Sequence, residues 1–224
     1  MSNSNWRTEI GAVLRKELIT EFRTKNGLLT SGLFGFVTVV TLNLAMFSVS
    51  KNADMAAGLY WVAVLFASIL ALPRTFLVEE DQGTGDLLRL IAQPHSVFWG
   101  KALFNLLLIL AIGLGLSGLF VTLMETKVVY AGLFFGSIVT GCASLAGAVT
   151  LCGALVARAA NRFALAAAVS APLLLSILSF GVSTMRTALG AGGTNGWTLV
   201  MGAFCYAVVL FAIGPWIFAA VWKK

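Results

Sequence analysis

Four of the chain's nine carboxylates, Glu79, Glu80, Asp81 and Asp86, fall within eight residues. Carboxylates grouped this closely can hold a hard cation or exchange protons with a substrate. Both chemistries need a complementary group, and the neighbouring sequence offers little. The single histidine, His95, follows Pro94 at the far end of the same stretch and reads as a surface residue. The cysteines, Cys142, Cys152 and Cys205, stand inside apolar runs with no CxxC or Cys/His spacing, so they read as small buried hydrophobes and no metal site is expected. The sole Gly-Lys pair, Gly100-Lys101, lacks the upstream glycine and the following Ser/Thr of a phosphate-binding loop. Gly83-x-Gly85 is too short for a dinucleotide fingerprint. No catalytic residue is assigned, and by itself the chain is not expected to be an enzyme.

What remains for the acids is docking. A cytoplasmic membrane surface is negative, so carboxylates gathered beside it are disfavoured unless they meet something basic. The plainer alternative, a segment that only connects two membrane spans, stays open. The local pattern predicts a short helix. Gly83-Thr84-Gly85 makes a turn, Thr84 is placed to cap, and Asp86 lies in the first turn where it favours the helix dipole. Leu87, Leu88, Leu90 and Ile91 then supply an apolar face, and Pro94 ends it. Residues 79–94 thus form an acidic cluster followed by an amphipathic helix.

The elements that carry this loop are apolar. The chain is 59% hydrophobic and 11% charged, with mean hydropathy +0.93, whereas a soluble domain carries roughly a quarter charged residues. Its solvent is therefore largely lipid, where helices satisfy their own backbone groups. Apolar runs at about 28–48, 57–78, 97–124, 128–157, 163–185 and 197–222 predict six transmembrane helices in one transmembrane domain, residues 1–224. The predicted class is an all-α integral membrane protein. Small residues crowd the fourth run, from Gly136 and Ser137 to Gly153, and place it in the interior. The external stretch 186–196 is glycine-rich and is expected to be flexible.

Orientation follows from the basic residues. With the N-terminus in the cytoplasm, twelve of the fifteen lysines and arginines face inward, and Lys51, Lys127 and Arg186 face outward. Both termini are then cytoplasmic. The net charge of +6 serves this asymmetry, and nucleic-acid binding is not expected. Residues 6–26 are patterned rather than apolar. Trp6, Ile10, Val13, Leu14, Leu18 and Phe22 recur at helical spacing while Arg15, Lys16 and Arg23 take other faces. This predicts an amphipathic helix in the membrane interface with its cations at the headgroups; a helix docked on a partner is the competing reading. No Asp or Glu falls centrally in a span, so ion-coupled transport lacks its usual groups.

The segment Glu79-Glu80-Asp81-Gln82-Gly83-Thr84-Gly85-Asp86-Leu87-Leu88, closed by Pro94 and followed by Gly100-Lys101, resembles the first cytoplasmic loop of ABC-2-type permeases. More narrowly, Leu14-Arg15-Lys16-Glu17-Leu18, Glu21-Phe22-Arg23, Trp61-Val62-Ala63 and Leu70-Ala71-Leu72-Pro73-Arg74-Thr75-Phe76 are similar to the haem exporter B family of cytochrome c maturation. The chain departs from that pattern at Pro73, where a polar or acidic residue is expected. The resemblance implies that Glu79, Glu80, Asp81, Gly83, Thr84, Asp86, Leu87 and Leu88 meet an ATP-binding subunit. It implies two copies of that subunit, a second copy of this chain, a haem-handling membrane protein and a periplasmic haem chaperone, in the bacterial inner membrane. ATP would then sit on the partner, with haem as the ligand handled and no cofactor held by this chain. Haem export and release of a haem-loaded chaperone both remain open, as do another amphiphile (a lipid or polysaccharide) and a non-transporting scaffold.

Overall fold

A computed structural model describes residues 6–46, 52–70, 76, 79, 83–156, 162–191, 193 and 195–222, the side chains of 86 and 162–169 apart. Among these residues there is no strand. The helices are α1 (Trp6–Thr24), α2 (Asn26–Ala45), α3 (Ala53–Ile69), α4 (Gly85–Ile91), α5 (Pro94–Met124), α6 (Ala131–Val156), α7 (Arg162–Ala188) and α8 (Gly196–Trp222). Five are long and apolar enough to cross a membrane: α2, α5, α6, the Ser170–Ala188 part of α7, and α8. Helix α3 is shorter, at 17 residues, or about 25 Å at the α-helical rise. The expected second span, 57–78, starts inside α3 and runs into residues outside the described set.

Helix α6 is the axis of the bundle, as its small residues predict. Most of it is buried, from Leu133 to Val156, against α5, α7 and α8. Its hydroxyls tie the neighbours on: Ser137 donates to the Gly181 carbonyl at 3.1 Å and Ser144 to the Ala203 carbonyl at 3.1 Å. In lipid such bonds replace the water a hydroxyl would otherwise find.

Helix α3 closes this core with two aromatics. Trp61 is fully buried, driven between Gly141 of α6 and Gly181 of α7. A Cβ at Gly181 would lie 2.5 Å from Trp61 Cε2, and one at Gly141 would overlap the indole outright. Only glycine leaves room for the ring. Beside it Tyr60 donates its hydroxyl to the Gly113 carbonyl of α5 at 3.0 Å and meets Phe120 edge-on at 5.6 Å.

At the end of the bundle that carries Arg186, α7 finishes in a Schellman-type cap. Gly190 takes φ +89, with Gly190 N–H bonded to the Thr187 carbonyl and Ala191 N–H to the Arg186 carbonyl. The Val129 and Tyr130 amides both donate to the Ala188 carbonyl, and Arg186 Nε pairs with Asp54 Oδ1 at 2.5 Å. Residues 186–191, expected to be flexible, are therefore bonded to one another and to two other parts of the chain, Asp54 and Val129–Tyr130. The outward faces of α2 and α8, including Leu33, Val37, Phe204 and Val208, are exposed and suit hydrocarbon.

Candidate functional site

The opposite end of the bundle is assembled differently. Helix α1 lies against the start of α5, where Val13 enters the notch left by Gly100; a Cβ there would stand 2.6 Å from Val13 Cβ. Val13 is buried, whereas Trp6, Phe22, Arg15 and Arg23 are exposed. The exposed aromatics fit an interfacial helix, and the buried Val13 also fixes that helix to a span. At its end the chain turns through Lys25, at φ 53. Glu21 steadies the turn, its carboxylate accepting the Leu28 N–H at 2.7 Å.

This docking turns Lys16 and Glu17 towards α5 and the loop. Lys101, on the second turn of α5, is 2% exposed and pairs at 3.0 Å with both Glu17 Oε1 and Glu79 Oε2. Its ammonium also stands 4.9 Å from the centre of the Phe76 ring. Lys16 pairs with Glu79 and, at 3.2 Å, with Glu17. Two ammoniums and two carboxylates thus join α1, the acidic loop and α5. The balance shows in the titration of Glu79. Burial pushes its carboxyl up, but Lys101 and Lys16 outweigh burial and hold it below the usual carboxylate range. For Lys16, burial pulls downward, and Glu79 and Glu17 together hold the ammonium above its ordinary value.

From Glu79 the loop is led into α4. Gly83 takes φ +69, a left-handed value that suits glycine. Thr84 stands at the N-cap position but its side chain makes no cap bond. Instead its hydroxyl and its N–H both donate to the Glu79 carbonyl, at 3.2 and 3.0 Å. The expected cap is therefore a loop staple: Thr84 has backbone φ −86, ψ −9, not the extended form of a capping residue. Past it, Leu88 packs with Val13, Phe76, Val97, Phe98 and Phe218 in an apolar cluster fed by α1, α5, α6 and α8. Leu87, Leu90 and Ile91 point outward, 58%, 84% and 74% exposed. His95 sits edge-on to Trp216 at 5.4 Å.

Of the residues expected at the site, the structure brings Glu79 and Lys16 into direct contact and puts Thr84 on Glu79. Lys16 faces carboxylates, not the headgroups expected for it. Leu87 faces out while Leu88 faces in. Glu80 and Asp81 lie outside the described residues, and for Asp86 only the helical backbone is described. Two participants were not foreseen, Glu17 and Lys101. The acids, for which the sequence offered little in the way of a complementary group, meet one in Lys101, whose signal was a lone cation early in an otherwise apolar run. Among the described residues, no group of three or more His, Cys, Asp and Glu is placed to hold a metal ion.

The family model described as CcmB protein matches residues 8–223. The chain is also similar to the heme exporter protein B of Bradyrhizobium diazoefficiens, at 28% identity over 228 residues, covering 95% of this chain and 96% of that protein.

Proposed function

Because the chain belongs to the CcmB protein family, whose members are multi-pass proteins of the bacterial inner membrane, we propose that it is the membrane subunit of a haem export system. ATP hydrolysis on a partner is coupled to its spans through residues 79–94. The observation that carries this reading is the apolar face of α4, with Leu90 and Ile91 exposed at one end of the bundle and Glu79 gripped from behind by Lys101. A surface of this kind costs free energy unless a partner covers it. A push on α4 passes through Leu88 to the ends of α5, α6 and α8, and through Glu79 to Lys101.

In this reading α3 belongs to a sixth span, and both termini lie in the cytoplasm with α4. The complex holds two copies of this chain and two of the ATP-binding subunit, and it works with a haem-handling membrane protein and a periplasmic chaperone. Of the two outputs, release of haem-loaded chaperone is favoured over passage of haem through this subunit. Lys101, a buried cation that could meet a propionate, is already paired with two carboxylates.

Co-purification from native membranes with mass spectrometry tests the docking. Leu90→Asp should release the ATP-binding subunit while the variant stays folded, and so should joint reversal of Glu80 and Asp81 to lysine. Glu79 is spared because it anchors the loop internally. An ATP-binding subunit that stays bound to both variants at physiological salt rules the docking out.

A further inference from the structure

Behind the charged quartet lies a cavity of about 770 Å³ between α1, the first turn of α2, α4 and α5. Its polar end holds Lys16, Glu17, Glu21, Glu79 and Lys101; its other end is walled by Phe104 and Leu108. Lys101 and Leu108 are separated by about 10 Å along α5 at the helical rise, so the lining changes from charged to apolar with depth into the bilayer. Three carboxylates face two ammoniums, leaving one formal negative charge.

We propose that this cavity binds a phospholipid with a primary-ammonium headgroup, an ethanolamine lipid, head at the quartet and acyl chain along Phe104 and Leu108. Glu21 Oε1 is engaged by the Leu28 N–H, and its second oxygen has no donor among the described residues, so it receives the ammonium. Lys16 has three N–H donors, two of them committed to Glu17 and Glu79, and the third meets the phosphate. The formal charge disfavours an anionic lipid or a dicarboxylate porphyrin. A choline headgroup lacks the N–H donors. The cavity shares Glu79, Leu88 and Ile91 with the surface proposed for an ATP-binding subunit, but retention of lipid by this chain alone does not depend on that docking.

The test is native mass spectrometry of the full chain released from nanodiscs holding equal parts of ethanolamine, glycerol and choline phospholipids. The wild type should retain the ethanolamine lipid over each of the others by roughly three- to five-fold, the size of one partly exposed charge pair. Glu21→Gln keeps an acceptor for Leu28 and should erase that preference without changing the melting temperature. Leu108→Trp, which fills the apolar end, should lower retention of all three. Equal retention of the three lipids by the wild type, or an unchanged preference in Glu21→Gln, overturns the proposal. So does haem added to the nanodiscs displacing the lipid from the wild type as readily as from Glu21→Gln.

Discussion

Two regions of this bundle, one around Trp61 and one around Lys101, are held by different physics. Around Trp61 the helices interlock through shape, an indole between two glycines with hydroxyls bonded to carbonyls, and no charge takes part. Around Lys101 the contacts are electrostatic, joined to a modest aromatic cluster, and they involve α1 and a loop as well as α5. Shape-locked packing has one good arrangement, whereas ion pairs between separate elements can be broken and remade at modest cost when a partner offers new ones. The first region suits a fixed frame. The second suits the receiving end of a motor.

The largest test of that contrast is Gly141→Val. Its side chain collides with Trp61, and overpacking of this kind costs about 3 kcal/mol or more. The melting temperature in detergent should fall further than for any variant below. Adding Trp61→Leu should restore part of the loss; no rescue would mean the glycine matters for another reason. Next comes Lys101→Met, which leaves Glu17 and Glu79 with Lys16 as their one remaining ammonium in the quartet and should cost about 2–4 kcal/mol. Glu79→Gln in the same chain should recover part of it, and a double variant no more stable than Lys101→Met would show that the two do not interact.

The pH dependence sharpens the contrast without mutation. Glu79 is held below its ordinary value, so its pairing contributes stability above the unfolded carboxylate pKa of about 4.3 and loses it as pH falls through the folded value. Lys16 is held above its ordinary value, so its contribution is complete below about 10.4 and is lost as pH rises through the folded value. Protease cleavage within 79–91 should therefore be flat near neutrality and rise as the medium is acidified below about pH 4. Accessibility of the α3 wedge should not follow it. Smaller still is Thr84→Val, which removes one hydroxyl bond to the Glu79 carbonyl and should cost about 1 kcal/mol. Smallest is Arg186→Ala: its pair with Asp54 is half exposed, worth at most about 1 kcal/mol, and a large loss in melting temperature would show that the Arg186 end is more than a surface tie.

Five of the expected spans were legible because each is a long apolar run, and the interior place of α6 was legible because small residues crowd it. Which aromatic fills the small-residue notches was not, since nothing local to Trp61 or Gly181 marks residues 120 positions apart as neighbours. The loop's acids pointed to a site, but their partners did not announce themselves. Glu17 and Lys101 are separated by 84 residues, and Lys101 alone looks like any positive-inside residue at the mouth of a span. Thr84 misled because a threonine before an acidic first turn has the composition of a cap, and only the backbone angles show that the hydroxyl turns back to the loop.

Hydrogen–deuterium exchange on the assembled complex, with and without ATP, tests the division most directly. The account predicts that exchange changes in Trp6–Thr24, in 85–91 and in the first turns of α5, while α3 around Trp61 and the facing turns of α6 stay as they were. Unchanged exchange in 85–91 alongside a change around Trp61 would contradict it.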